Sequence, residues 1–244
     1  MKLKQKLCEF LIDNNLVKEN DVIKHSYSNK RLSEWNKRNV EFNNISPTLD
    51  TRCDCLGVVV KEKNMNNLRI RKLTPTECFR VMGVKDEDSE KLNHLSNSVK
   101  YHLAGDSIVV NVLEAIFKSI LIDNPIIDEK PIRLIEFFSG YGSQALALKY
   151  LGIPFEHYVT CEWAIKSIDA YKHIHFPNVN EDYTELMDKD DLVDFLYEKG
   201  ISSNWNEPMT REQIARKNEN ELREIYNNIK NTNNLVNIQQ VMGG

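Results

Sequence analysis

IRLIEFFSGYGSQALALKYLG, residues 132–152, decides how the chain is read. A β-branched apolar run, then Gly140 and Gly142 in a tight turn, then an apolar-periodic segment spell strand, glycine turn and helix. Such a unit normally opens an α/β sheet, yet here it starts beyond the midpoint of 244 residues. Next, FEHYVTCEW (155–163) reads as a second strand ending in Glu162-Trp163, and AIKSIDAYKHIHF (164–176) as the helix after it. A glycine-containing first turn lets a nucleotide-like ligand approach the backbone, and an acid at the end of the second strand can accept both ribose hydroxyls. Gly140, Gly142 and Glu162 fit those roles. A lone G-x-G also fits a plain turn, and Trp163 a core tryptophan; their pairing with Glu162 favours a ligand, because an indole at a strand end can stack on an adenine.

Beyond Thr184 the texture changes. ELMDKDDLVDFLYEKG (185–200) and TREQIARKNENELREIYNNIKN (210–231) are polar helices, the latter with Thr210 and Gln213 as a capping box, and they resemble a helical insertion. Upstream of the turn, residues 3–17 read as a short helix and residues 43–60 as a loop running into a strand that ends near Lys61. In RIRKLTPTECFRVMG, Thr74 as N-cap, Pro75 at the first helical position and Glu77 three residues after the cap predict a helix over 75–83. KDEDSEKLNHL (85–95) reads as a solvated loop or short helix. The strongest helical signal is AGDSIVVNVLEAIFKSIL (104–121). Ile108, Val109, Val112, Leu113, Ile116, Phe117, Ile120 and Leu121 make one broad stripe that should pack on a core. DNPIIDEKP, with Pro125 and Pro131, breaks the pattern as a linker.

Composition sets the outer bounds. With 41% hydrophobic and 28% charged side chains the chain can bury a proper core and is not generally disordered. Its net charge of -4 is uneven: the first 124 residues carry 20 Lys+Arg against 17 Asp+Glu, the remainder 12 against 19. If one half faces a polyanion, it is the first. The five cysteines are scattered without a CxxC pair. Cys53-Asp54-Cys55 is their only cluster, and thiols one residue apart on a strand point to opposite faces, so no metal site is expected and reduced thiols are. No apolar run reaches a membrane span and the start lacks a secretory core, which places the expected protein in the cytoplasm.

FFSGYGSQALALKYLG, CEW and the later NEDY together resemble the S-adenosylmethionine-binding start of the DNA cytosine-5 methyltransferases. That resemblance implies cofactor contacts from Phe138, Gly140, Tyr141, Ser143, Glu162, Trp163 and Asp182, the last to the adenine amino group. ISPTLDTR, RKLTPTECFRVMG and AGDSIVVNVLEAI resemble the other end of the same family: the block after its recognition domain, the helix that supports that domain, and the last helix. Residues 1–123 therefore look like the tail of such an enzyme, 124–131 like a linker, 132–183 like its cofactor-binding head, and 184–244 like a helical insertion. The implied fold is an incomplete Rossmann-like, three-layer α/β methyltransferase domain in circularly permuted order. Neighbouring termini permit that order.

The resemblance implies S-adenosylmethionine as cofactor, with Asp106 and Ser107 at the last helix contributing. The family usually has Gly-Asn-Ser where this chain has Gly105-Asp106-Ser107, and an ionised Asp can only accept, so reduced affinity is expected. Double-stranded DNA is the implied partner, with Arg69, Arg71, Lys72 and Arg80 towards it. No catalytic residue is assigned: the family's Pro-Cys loop and Glu-Asn-Val segment are absent from the chain. Methylation of cytosine in DNA is thus expected only with a complementary methyltransferase chain that carries Pro-Cys. The alternative is a catalytically inactive protein that binds cofactor or DNA. Exposed sheet edges in an incomplete domain also imply self-association.

Overall fold

The computed structural model describes residues 22–24, 56–61, 68–124 and 131–238. The helix expected over 3–17 and the Cys53-Asp54-Cys55 cluster lie outside them. The chain divides into two compact units, one of Met1–Val81 with Lys100–Asp106 and one of Met82–Val99 with Ser107–Gly244.

In the first unit, β1 (Val22–Lys24), β2 (Leu56–Lys61) and β3 (Leu68–Lys72) form an antiparallel sheet in that order, Val59 pairing with Ile70. The β-branched run at Val58–Val60 suits the pleat. The capping box forms at α1 (Pro75–Val81): the Glu77 N–H donates to Thr74 Oγ1 at 3.3 Å and the Thr74 N–H to Glu77 Oε2 at 2.8 Å. This helix buries Pro75, Cys78 and Phe79 and ends two residues short of the predicted stop.

The second unit begins with α2 (Asp86–Ser89) and a 3-10 turn (Glu90–Leu92), so the acidic segment is a short helix. Asp88 inside it is fully buried and accepts from Lys91 Nζ at 2.9 Å, Lys149 Nζ at 2.7 Å and the Tyr150 hydroxyl at 2.9 Å. After α3 (Asn97–Asp106), the chain is extended at Ser107 and Val109 and re-enters a helix as α4 (Val110–Asp123).

Here the sequence expectation is corrected. The apolar stripe from Ile108 does not all pack on a core: Val110 and Leu113 are buried, whereas Ile108 (51%), Val112 (52%), Ile116 (47%) and Ile120 (44%) remain about half exposed. The physical reason is geometric. α4 packs on α5 (Ser143–Leu151) along one line of residues, and among the described residues nothing covers the adjacent line.

β4 (Ile132–Phe137) and β5 (Phe155–Cys161) pair in parallel, with an irregularity between Leu134 and Ile135. This small parallel sheet among helices is a mixed α/β architecture compatible with a methyltransferase fold. Along β5, residues 233–235 add a rudimentary third ribbon: Thr160 and Asn234 form a parallel bridge, and the Leu235 N–H donates to the Thr160 carbonyl at 2.8 Å.

α6 (Ile165–His175), α7 (Lys189–Lys199), α8 (Arg211–Ala215) and α9 (Glu219–Asn231) enclose an apolar cluster that includes Ile168, Leu192, Leu196, Ile214, Leu222 and Ile229. Their ends are well specified. Asp188 with Asp191 and Thr210 with Gln213 form capping boxes, and Asn218 accepts from the Glu221 N–H at 2.8 Å.

Candidate binding site at the glycine turn

β4 ends in the turn that the opening stretch predicts, and the turn is held from three sides. Phe138 takes a left-handed φ of 56° while its N–H donates to the Cys161 carbonyl at 2.8 Å, locking the turn to the end of β5. Gly142 has φ 85°, and a Cβ there would stand 2.2 Å from His175 Nε2, so only glycine lets the turn lie on α6. Glu136, the one acid in the apolar strand, is buried and accepts from the Ala145 N–H at 3.3 Å and the Tyr171 hydroxyl at 2.6 Å. It caps the start of α5 from inside the sheet. Burial pushes its carboxyl up to about 7, against the lowering effect of Tyr171. Burial also holds His157 down at about 4 and His175 at about 3, so this interior favours neutral groups throughout.

Glu162 closes the turn from the other strand. It is buried; one carboxylate oxygen accepts from the Gly140 N–H at 2.9 Å and the other from the Ala164 N–H at 2.8 Å. Its own backbone is clasped by Asn234, which accepts from the Glu162 N–H at 3.0 Å and donates to the Glu162 carbonyl at 2.9 Å.

A cavity of about 330 Å³ opens beside these residues, lined by Phe138, Cys161, Glu162, Trp163, Gly200, Pro208, Val236, Asn237 and Ile238. Its wall is mostly apolar, with one carboxylate, one amide and an indole for orientation, as small-molecule sites are built. In the adjoining turn the buried Ser139 Oγ has no hydrogen-bond partner among the described residues, an uncompensated group of the kind a polar ligand satisfies.

Of the residues predicted from sequence, Phe138, Glu162 and Trp163 line this cavity, and Gly140 is tied to it through Glu162. Ser107, Tyr141 and Ser143 meet in a separate hydroxyl cluster, with Ser107 Oγ 2.6 Å from both Tyr141 Oη and Ser143 Oγ. Burial pushes the Tyr141 hydroxyl up to about 12 and keeps it neutral, accepting from Ser107.

Asp106 closes α3 and lies 2.7 Å from His102 Nδ1; Val109, not Asp106, occupies the N-cap position of the next helix, α4. Asp182 does not line the cavity. Its exposed carboxylate accepts from the Thr184 hydroxyl at 2.7 Å and N–H at 2.8 Å and from Asn227 Nδ2 at 3.0 Å, and these bonds, the Thr184 hydroxyl first, hold it down at about 2.

The basic residues differ among themselves. Arg71 is engaged by Glu77 through two bonds of 2.7 and 2.5 Å, and that guanidinium holds the Glu77 carboxyl down at about 2. Lys72 Nζ lies 3.9 Å from the centre of the Tyr101 ring, Arg80 is exposed in the last turn of α1, and Arg69 belongs to β3.

Sequence reasoning missed Glu136, Asn234 and Asn237. Glu136 had a signal, an acid in an apolar strand. The two asparagines sit in or just after an Asn-rich turn; the role of Asn234 depends on pairing with Glu162, 72 positions away, and Asn237 enters only as part of the cavity lining.

Residues 2–121 match the family model of the C-5 cytosine-specific DNA methylases. Over 67 residues the chain is 53% identical to the orphan methyltransferase M.SPRI of Bacillus phage SPR, covering 27% of this chain and 15% of that protein. It is 33% identical over 106 residues to the orphan methyltransferase M.SssI of Spiroplasma monobiae, covering 41% of this chain and 26% of that one. With the type II methyltransferase M.Bsp6I of a Bacillus species it shares 35% identity over 103 residues, covering 38% and 31%. The chain thus spans less than a third of the length of each of these relatives.

Proposed function

Because the chain belongs, through residues 2–121, to the C-5 cytosine-specific DNA methylase family, we propose that it holds S-adenosylmethionine in the cavity beside Glu162 and Trp163 for methyl transfer to cytosine in DNA. The observation that carries this reading is the Glu162 carboxylate, fixed by two backbone N–H groups at the rim of a mostly apolar cavity that also presents an indole. Fixed acceptors of this kind suit ribose hydroxyls, and Trp163 with Phe138 suits a purine. Asn237 rather than Asp182 is the polar side chain of the lining that suits a purine edge. Bound S-adenosylmethionine supplies an electrophilic methyl group; the residues of this chain bind and orient it and exclude water.

The permuted order belongs to the same proposal. Residues 1–123 act as the tail of the enzyme, 124–131 as the linker, 132–183 as the cofactor-binding head and 184–244 as a helical insertion. Support comes from Ser107, in the tail-like segment, which bonds Tyr141 and Ser143 in the head-like segment within one compact unit. Asp106, where the family has Asn, leads us to infer reduced affinity. Arg69, Arg71, Lys72 and Arg80 are the DNA-contact candidates of this reading, Arg71 being paired with Glu77.

We infer that the attacking group comes from elsewhere. C5 methylation requires a thiolate at C6. Among the described residues Cys78 and Cys161 are both buried, and burial pushes the Cys161 thiol up. The nucleophile in this reading arrives on a complementary segment carrying Pro-Cys. A second reading, a cofactor- or DNA-binding protein with no methyl transfer, is favoured by the absence of Pro-Cys from all 244 residues. Tritiated methyl transfer to mixed-sequence DNA separates them. Transfer only when a polypeptide bearing the Pro-Cys loop and recognition domain is added supports the first reading, and none in either case supports the second.

A further inference from the structure

Away from the glycine turn, three side chains from distant parts of the sequence converge. His94 follows the 3-10 turn, while Asp169 and His173 stand one turn apart on α6 and so share a face. His94 Nε2 lies 2.9 Å from Asp169 Oδ2, and His173 Nδ1 lies 3.1 Å from Asp169 Oδ1. One ligand atom from each residue falls within 4.8 Å of the other two.

The hydrogen bonds around the cluster leave it electrically incomplete. His94 Nδ1 faces the Lys91 carbonyl at 3.2 Å, a partner it can only donate to. In the neutral ring Nε2 then carries a lone pair, aimed at a carboxylate oxygen that is also only an acceptor. His173 Nδ1 likewise faces the Asp169 backbone carbonyl at 2.9 Å. Asp169 is 8% exposed, and among the described residues its buried Oδ1 faces His173 Nδ1 at 3.1 Å, whose better hydrogen bond goes to the Asp169 carbonyl. With the proton on His94 Nδ1 two acceptors are in contact, which either the Nε2–H tautomer or a metal ion between them resolves. His94, anchored through Nδ1 to a carbonyl with Nε2 facing the carboxylate, has the usual arrangement of a metal-ligating histidine.

We propose that His94, Asp169 and His173 form a site for one divalent transition-metal ion of the zinc class, which pins the segment after the 3-10 turn to α6. Two imidazoles and a carboxylate match the ligand preference of zinc, and bond lengths of about 2.0–2.2 Å put ligand atoms about 3–3.5 Å apart, near the 2.9 and 3.1 Å between each imidazole and the carboxylate, with all three within 4.8 Å. Both imidazoles are partly exposed, with side-chain exposures of 40% and 34%, so an ion can enter and water can complete its coordination.

The test is calorimetric titration of the chelator-treated chain with zinc chloride, repeated with cobalt(II) for its visible spectrum. The expected result is one equivalent bound, a higher melting temperature, and a cobalt spectrum without thiolate charge transfer. His94→Gln and His173→Gln should each weaken binding at least tenfold, whereas His102→Gln should not. If a variant fails to fold, paramagnetic broadening of the His94 and His173 ring protons by cobalt in the unsubstituted chain answers the same question. No bound equivalent, binding unchanged in both variants, or a thiolate spectrum overturns the proposal and leaves a metal-free histidine–aspartate cluster.

Discussion

α4 and α9 bury themselves in the opposite order to their apolar content. α4 is rich in Val, Ile, Leu and Phe, yet it buries only Val110 and Leu113 and leaves Val112, Ile116 and Ile120 half exposed. α9 is mostly Glu, Asn, Arg and Lys, yet it buries Leu222, Ile225, Tyr226 and Ile229 among α6 and α7. A narrow stripe with neighbours on both sides is a finished core, whereas a broad stripe with a neighbour on one side is a surplus. β4 repeats the pattern, burying Glu136 while Ile135 and Phe137 stay about half exposed. Among the described residues α4 and β4 leave apolar surface over, whereas the helices from α6 to α9 bury theirs against one another.

The finished core should respond most strongly to damage. Leu192→Ala removes a fully buried side chain from the cluster and should cost about 3 kcal/mol in urea unfolding, whereas Val112→Ala on α4 should cost less than about 1 kcal/mol. Equal losses would erase the distinction between the two regions. Gly142→Ala belongs with the large effects. It forces a left-handed residue to carry a Cβ 2.2 Å from His175, and a loss of about 2–4 kcal/mol is expected in the same measurement.

The sheet interior sharpens the comparison through pH. Glu136 has a folded pKa raised above its unfolded value, so its contribution is fully present below about 4.5 and is lost as pH rises to about 7. The buried His157 acts in the opposite sense, its contribution being present above about 6.5 and lost as pH falls towards about 4. The stability difference between the unsubstituted chain and Glu136→Gln should therefore move against the unsubstituted chain by on the order of 3 kcal/mol between pH 4.5 and 7. A flat difference would mean that Glu136 is not held in a dry interior. The smallest effect is expected for Ile116→Ser, within about 0.5 kcal/mol for the isolated chain, together with reduced self-association in sedimentation velocity.

The same contrast governs what could be read beforehand. Features specified within a few residues were legible: the strand, glycine turn and helix at 132–152, and the capping boxes at Thr74 and Thr210. Glu162 and Trp163 were legible as a pair because a strand end brings neighbours to one rim. What depends on distant partners was not. The apolar periodicity of α4 carries no information about whether a second surface exists to receive it. Asn234 gains its role only by lying beside β5, and the bonds of Asp182 to Thr184 and Asn227, outside the cavity lining, are equally invisible to motif reading. His94 and Asp169 are 75 residues apart, beyond any spacing rule.

The central claim is that the cavity at the glycine turn is a cofactor site organised by Glu162. Calorimetric titration of the purified chain with S-adenosylmethionine tests it most directly, with circular dichroism to verify the fold of each variant. The account predicts one weakly bound equivalent, weakened at least tenfold by Glu162→Gln, about 1.4 kcal/mol or more. Binding of equal strength by the unsubstituted chain and a folded Glu162→Gln, or no binding by either, would contradict it.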